Sequence, residues 1–338
     1  MDFLDSILFG MFLGKEGWLW LVFLGIVVTL LVLDLGVLHR TSREIGVRES
    51  VILSAGYMAI AFAFGGWIWS EMGQERAMEF YTGYLIEWSL SVDNIFVIAL
   101  IFGFFAIPRE YQYRVLFWGI IGVIVFRAIL IGVGATLVSE FSWILYVFGA
   151  FLVITGVKVL VRGDHKPDLA NNVLLKFLRR RMRVTDGLEG QRFFVRRPDP
   201  SRAGKTVLYA TPLFLCLMLV EGADLIFAVD SVPAIFAITT DPFIVYTSNI
   251  FAILGLRALY FALAAAIHRF RYLEKALALI LIFIGAKIFL VNTVGKIRPE
   301  VSLTVTISLL IGGVAISLLK TRGEAPPAFS REPARGGE

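Results

Sequence analysis

Two stretches of this 338-residue chain place carboxylates inside strongly apolar sequence. The first, EWSLSVDN, runs from Glu87 to Asn94, and the second, DLIFAVDS, runs from Asp224 to Ser231. In both, an acid stands six residues before the aspartate of a Val-Asp-[Asn/Ser] triplet. Glu221 precedes the second stretch, and Asp34 lies at the end of an apolar run near the N-terminus. A charge at the centre of a bilayer costs at least about 2.5–3.5 kcal/mol. Glu87, Asp93, Glu221, Asp224, Asp230 and Asp34 must therefore face one another, a cavity or a ligand. Asn94, Ser91 and Ser231 add neutral oxygens at the same level. Carboxylate, amide and hydroxyl oxygens without a neighbouring histidine or cysteine suit a hard divalent cation, Mn2+ or Ca2+, as a transported substrate and not as a prosthetic group. Met218, close to Glu221, is read as a core methionine and not as a soft ligand.

Helix geometry divides these residues. At 100° per residue, Glu87, Ser91 and Asn94 share one face, as do Asp224, Ala228 and Ser231, with Glu221 beside them. Asp93 and Asp230 fall roughly 120° away on a regular helix. Pro233 cannot donate to the carbonyl of Val229, so a kink or unwound turn is expected next to Asp230. Such a break would free carbonyls for a cation and could bring Asp230 into the site.

The two acidic stretches belong to a longer repeat. After each comes a helix with an arginine, in R127AIL and R257ALY, and then one with a glycine and lysine, in TG156VK158V and IG285AK287I. Matching order, type and spacing predict an inverted-topology repeat of spans three to five and six to eight, because three crossings separate the copies. Arg127 and Arg257 are expected to balance acids in the empty site or to form gates. Lys158 and Lys287, nearer the span ends, are candidates for gating or for snorkelling to the interface.

The elements that must position these groups are membrane helices. Hydrophobic residues make up 58% of the chain and charged residues 17%, against about a quarter charged in a soluble domain. The sequence predicts an all-α, polytopic membrane protein with nine spans, at about 18–38, 51–70, 80–105, 113–137, 142–162, 207–238, 243–267, 273–294 and 301–320. Basic loops fall on one side of this alternation, with Arg40, Arg43, Arg48, Arg109, Arg114, Arg269, Arg271, Lys275, Lys320 and Arg322. The positive-inside rule then puts the N-terminus outside and the C-terminus in the cytoplasm. The first span lacks the basic lead and cleavage site of a signal peptide and is taken as uncleaved.

Residues 1–322 are expected to form one membrane domain with a basic cytoplasmic loop at 163–206. The Pro- and Gly-rich tail 323–338 is expected to be disordered. Within the loop, NVLLKFLRRRMRV could form a basic amphipathic helix on anionic lipid, although a solvated connector is the preferred reading. His39, His165 and His268 fall at span ends or in the loop, and His39 and His268 are read as interfacial residues and not ligands. The net charge of +5 sits beside spans and is no sign of nucleic-acid binding, and Cys216, the one cysteine, excludes an internal disulfide.

The stretches YLIEWSLSVDNIFV, FFVR, YVFGAFLVITGVKVL and LYATPLFLCLMLVEGADLIFAVDSVPAIFAITTDPFIVYTSNIFAILGLRALYF closely resemble the TerC/Alx family of bacterial membrane proteins, from about Asp34 to Val305. The resemblance implies a member of the LysE-like transporter superfamily, with ties to manganese export, to metal supply for secreted proteins and, by name, to tellurium resistance. It also implies that Glu87, Asp93, Glu221, Asp224 and Asp230 hold the metal with Asn94 and Ser231 adjacent, and that Asp34 is the aspartate of the first span. Trp88 departs from relatives that carry a basic residue there.

The leading expectation is a non-enzymatic secondary transporter in a bacterial inner membrane, exporting Mn2+ with protons as a candidate coupling ion. A membrane scaffold that helps secretion-machinery proteins acquire metal is an alternative of a different class. An intramembrane aspartyl protease built on Asp93 and Asp230 fits less well, because a glycine-flanked Gly-Asp loop is absent and the acids are too many. A carboxylate-lined site repels a tellurium oxyanion.

Overall fold

The computed structural model describes residues 8–34, 46–161, 169, 171–198, 206–266, 273–295 and 297–320. Helices dominate them: α1 (Gly17–Leu33), α2 (Val47–Met72), α3 (Gln74–Phe104), α4 (Arg109–Glu140), α5 (Ile144–Val161), α6 (Val173–Arg181), α7 (Pro212–Phe236), α8 (Pro242–Ala266), α9 (Leu273–Val294) and α10 (Pro299–Lys320). Every one except α6 coincides with an expected span. Among the described residues, α2, α4, α5, α7, α8 and α10 are long and apolar enough to cross a bilayer, and α1 is apolar but shorter.

Local sequence sets the boundaries. Pro212, Pro242 and Pro299 each open a helix, where the missing N–H costs nothing. Asp241 caps α8 by accepting from the Phe243 amide at 3.1 Å. Gly73, at φ 87°, makes the sharp turn from α2 into α3, a conformation open to glycine at little cost.

Three expectations need correction. The chain is not all-α: β1 (Met11–Phe12) pairs with β2 (Lys15–Glu16), and β3 (Phe194–Pro198) pairs with β4 (Thr206–Ala210), both antiparallel. The β4 strand occupies the start of the span expected at 207–238, so that helix begins at Pro212. Part of the basic loop is also ordered as α6, capped by the Asn172 side chain, with Leu175 and Leu178 buried. Residues 162–168, 170 and 199–205 of that loop, the three histidines and the tail lie outside the described residues.

Helix α8 is buried along most of its length, packed by α2, α3 and α4. Ser54 on α2 donates to the carbonyl of Gly255 at 3.0 Å, and Ser50 to that of Ala258. Two apolar cores flank the acids. One gathers Phe23, Phe64, Phe80, Ile235, Phe243 and Phe251, with Phe64 and Phe251 rings 4.8 Å apart. The other gathers Ile95, Phe102, Leu215, Leu219, Tyr260 and Leu277. Helix α3 passes from the first core (Phe80) through Glu87 to the second (Phe102), and α7 passes from the second (Leu215) through Asp224 to the first (Phe236). The two acid-bearing helices therefore run in opposite directions.

Helices α5 and α9 cross through small residues. A methyl group on Gly285 would meet the carbonyl of Gly149 at 2.6 Å, and one on Gly156 would meet that of Ala278 at 2.6 Å. Glycine is required at both crossings by backbone approach alone.

Candidate cation site

Glu87 is fully buried, and its two oxygens are both engaged. Oε1 lies 2.9 Å from Nη2 of Arg127 and accepts from Ser91 at 3.3 Å, while Oε2 accepts from the Asn249 amide at 2.9 Å. Arg127 is buried as completely and spans both acidic helices. Its Nε lies 3.7 Å from Asp224, and its Nη1 donates to Ser231 at 2.6 Å. One guanidinium thus ties α3 to α7 from α4. Desolvating these charges is costly, and removing one partner of such a set strands the others at about 3–5 kcal/mol.

Glu221 is held differently. It is buried, and its Oε2 has no hydrogen-bond partner among the described residues. Its carboxylate occupies a notch in α4 left by two glycines: a methyl group on Gly122 would fall on the carboxylate, and one on Gly119 would stand 3.8 Å from Oε1. A second buried acceptor, Asn249 Oδ1, also lacks a donor. Beside them lies a cavity of about 70 Å³ lined by Ser91, Asn94, Asp224, Arg257 and Tyr260, among others. Glu87 and Asp224 share one guanidinium, Arg127, whereas Glu221 makes no ion pair among the described residues, and a second guanidinium, Arg257, lines the same cavity. Among the described residues no three acids close on a common point. Arg127 stands between Glu87 and Asp224, where a ligand cage would need them together.

The remaining candidates separate. Asp34, at the end of α1, accepts from the Tyr113 hydroxyl at 2.9 Å and lines a second, water-sized cavity of about 20 Å³ with Tyr57 and Arg257. Arg257 lines both cavities, donates to the Tyr113 carbonyl at 3.1 Å and lies over the rings of Tyr113 and Phe117. It does not copy the bridge made by Arg127. Lys287 is buried and donates to Ser302 of α10 at 2.9 Å, so snorkelling is excluded for it, whereas Lys158 is exposed in the last turn of α5. Met218 packs in the second apolar core.

The unwound turn expected at Pro233 is absent: α7 is helical from Pro212 to Phe236, with Pro233 in its last turn. Helix α3 is likewise unbroken. Asp93 and Asp230 sit on these regular helices, and their side chains lie outside the described residues.

Sequence reasoning passed over Asn249, Tyr113 and the glycine notch. An asparagine within the apolar run of α8 was a visible signal for the first. A further ion network joins β2, the start of α3 and the turn before α8. Asp241 pairs with Lys15 at 2.9 Å and with Arg76 at 3.8 Å, and Arg76 pairs with Glu79 at 2.7 Å. Both acids are buried.

Charged side chains buried between bilayer-length apolar helices define an integral membrane protein with a polar interior. The chain belongs to the TerC family, since the profile of the integral membrane protein TerC family matches residues 72–325. It is 50% identical over 301 residues to an uncharacterized membrane protein of Rickettsia bellii, covering 89% of this chain and 97% of the relative. An uncharacterized membrane protein of Myxococcus xanthus is 45% identical over 320 residues, 95% of this chain and 97% of that one. The "Putative membrane-bound redox modulator Alx" of Escherichia coli K12 is 43% identical over 302 residues, 87% and 92% of the two chains. No solved structure gives a significant match.

Proposed function

We propose that this protein is a secondary transporter that exports a hard divalent cation, foremost Mn2+, from the cytoplasm across a bacterial inner membrane. The observation that carries the reading is the orphaned oxygen of Glu221, buried in its glycine notch one helical turn from Asp224. Buried acceptors of this kind need a partner. A divalent cation or a proton would supply it, which is what exchange of the two requires. All donors at the site are oxygens, and Cys216 and Met218 lie in the apolar core, which favours a hard ion. Arg127 acts as the internal counter-ion of the cation-free state. On this reading Glu87, Glu221 and Asp224 take the cation with Asn94 and Ser231, and Asp93 and Asp230 join when the helices move. Asp34 and Arg257 form a neighbouring charge pair, and no bond is made or broken.

The reading includes nine crossings, an external N-terminus and an inverted repeat of α3–α5 and α7–α9. Two observations support the repeat. The acid-bearing helices run oppositely, and the contacts between α5 and α9 are reciprocal. Aligning Gly156 with Gly285 aligns Gly149 with Ala278, and the contacts pair Gly156 with Ala278 and Gly285 with Gly149. A two-fold relation exchanges these two contacts. The redox role named for the Escherichia coli relative draws no dithiol from this chain, whose one cysteine is buried.

Mn2+ uptake into inside-out vesicles under an imposed pH gradient tests the proposal. Wild type takes up Mn2+, while Glu221→Gln, Asp93→Asn and Asp230→Asn each reduce uptake at least tenfold. Equal uptake in all four would overturn the site, and no uptake in wild type would overturn the function.

A further inference from the structure

The basic segment between α5 and α7 carries a surface that cation transport does not use. Helix α6 is not a free connector: Leu175 and Leu178 are buried, and Leu174 packs so closely on Gly222 that an added methyl group would lie 2.7 Å from its Cδ2. Gly222 is roughly 15 Å along α7 from Pro212. Past α6 the chain returns to the start of α7, where the Ala210 amide donates to the Arg183 carbonyl at 2.8 Å and the Thr185 amide to the Ala210 carbonyl at 2.9 Å. So α6 lies antiparallel along the first turns of α7. Its apolar N-terminal end is deep, and Arg179, Arg180 and Arg181 sit level with the start of α7.

The outer face of α6 combines two chemistries. Val173 and Phe177, four residues apart and on one side, are 82% and 54% exposed. Lys176 and Arg179 to Arg181 are exposed around and beyond them, and the Arg181 guanidinium lies 5.7 Å from the Phe177 ring. The β3–β4 hairpin continues the pattern. Exposed Phe194 packs against Phe214 in the first turn of α7 with ring centroids 4.4 Å apart, and Arg196 stands opposite exposed Leu208 in the register. Large apolar side chains at the deep end and guanidinium groups at the outer end match acyl chains below a layer of phosphates. Arginine also offers the fork of donors that suits a phosphate.

We propose that the outer face of α6, continued by Arg196 of β3, binds anionic phospholipid of the surrounding bilayer. Lipid phosphates meet Arg179, Arg180 and Arg181, and acyl chains meet Val173 and Phe177.

The test uses the full chain in nanodiscs of phosphatidylcholine, with and without phosphatidylglycerol. Lipid retention is read by native mass spectrometry, and amide exchange is read across 173–181. Wild type retains phosphatidylglycerol in preference, and α6 amides exchange more slowly when it is present. The triple variant Arg179→Gln/Arg180→Gln/Arg181→Gln loses on the order of 100-fold in that preference, about fivefold per charge. Val173→Ser/Phe177→Ser weakens retention of both lipids alike and leaves the buried Leu175–Leu178 face untouched, so it decides the matter if the triple variant fails to order α6. Unchanged preference in an ordered triple variant overturns the proposal. So does equal lipid retention by wild type and the serine variant, or protection of α6 that appears only with a soluble protein fraction.

Discussion

Gly122 and Gly119 stand one turn apart on α4 and face the same carboxylate, yet they should respond oppositely to one methyl group. At Gly122 the added carbon falls on Glu221, and at Gly119 it comes to an ordinary van der Waals distance of 3.8 Å. Alanine in a helix interior gains about 1 kcal/mol over glycine, while overpacking costs about 1–3 kcal/mol. Gly119→Ala should therefore be neutral or stabilising by up to about 1 kcal/mol, and Gly122→Ala should be destabilising by up to about 2 kcal/mol. The functional contrast should be larger. Displacing Glu221 removes one charge-assisted ligand worth about 1.5–3 kcal/mol, which is roughly a 10- to 150-fold loss of cation affinity. Shortening the acid by one carbon withdraws it by about 1.5 Å, so Gly122→Ala/Glu221→Asp should recover part of the loss. Mn2+ flux in inside-out vesicles and unfolding in mixed micelles measure the two effects. Similar flux in Gly119→Ala and Gly122→Ala would refute the argument that the notch exists to hold this carboxylate.

Other consequences follow from the same contacts. Arg127→Met should cost about 3–5 kcal/mol of folding stability, and Arg127→Met/Glu87→Gln should recover about 2 kcal/mol; a strictly additive double-mutant cycle would mean the pair is not coupled. Asn249→Leu should destabilise by about 1.5–3 kcal/mol by taking a donor from buried Glu87, a loss readable in the same unfolding assay. Lys287→Met and Lys158→Met should differ, the first disrupting a buried hydrogen bond to Ser302 and the second shifting stability by less than about 0.5 kcal/mol. Asp241→Asn should cost about 1 kcal/mol or more even in high salt, because the acid it replaces is buried and screening reaches it poorly.

Much of this architecture was legible because a membrane helix announces itself by length and hydropathy. Each helix among the described residues except α6 overlaps an expected span, and six of them are long and apolar enough to cross a bilayer. The faces held too: Glu87 with Ser91, and Asp224 with Ser231, come to one guanidinium as 3.6-residue periodicity places them. What escaped was set by tertiary geometry. Nothing in the linear order sends Arg127 into the site and its counterpart Arg257 toward Tyr113, or draws Asp34 away to a second cavity. The unwound turn expected at Pro233 does not form, because a proline three residues from a helix end removes a hydrogen bond where the helix is already finishing. The helix offered as the second reading of the basic loop forms, and its packing was not legible because its burial partner, the Gly222 region of α7, lies far along the chain.

The repeat is most informative where it is broken. Aligning Glu87 with Asp224 sets Tyr84 against Glu221, and aligning Arg127 with Arg257 sets Gly119 against Asn249 and Gly122 against Ala252. The second half thus carries the acid, Glu221, and the first half the notch that receives it. The first half also carries a phenol, whose buried hydroxyl finds no partner among the described residues, and the second an amide that reaches across to Glu87. The difference leaves one orphaned carboxylate, Glu221, in the site. A second glutamate at position 84 would add a further buried acid beside Glu87 and raise the desolvation cost of the site. On the inverted-repeat reading, the loss of symmetry at 84, 119, 122 and 249 gives the two halves different work: the second supplies the acid and the amide, and the first supplies the notch.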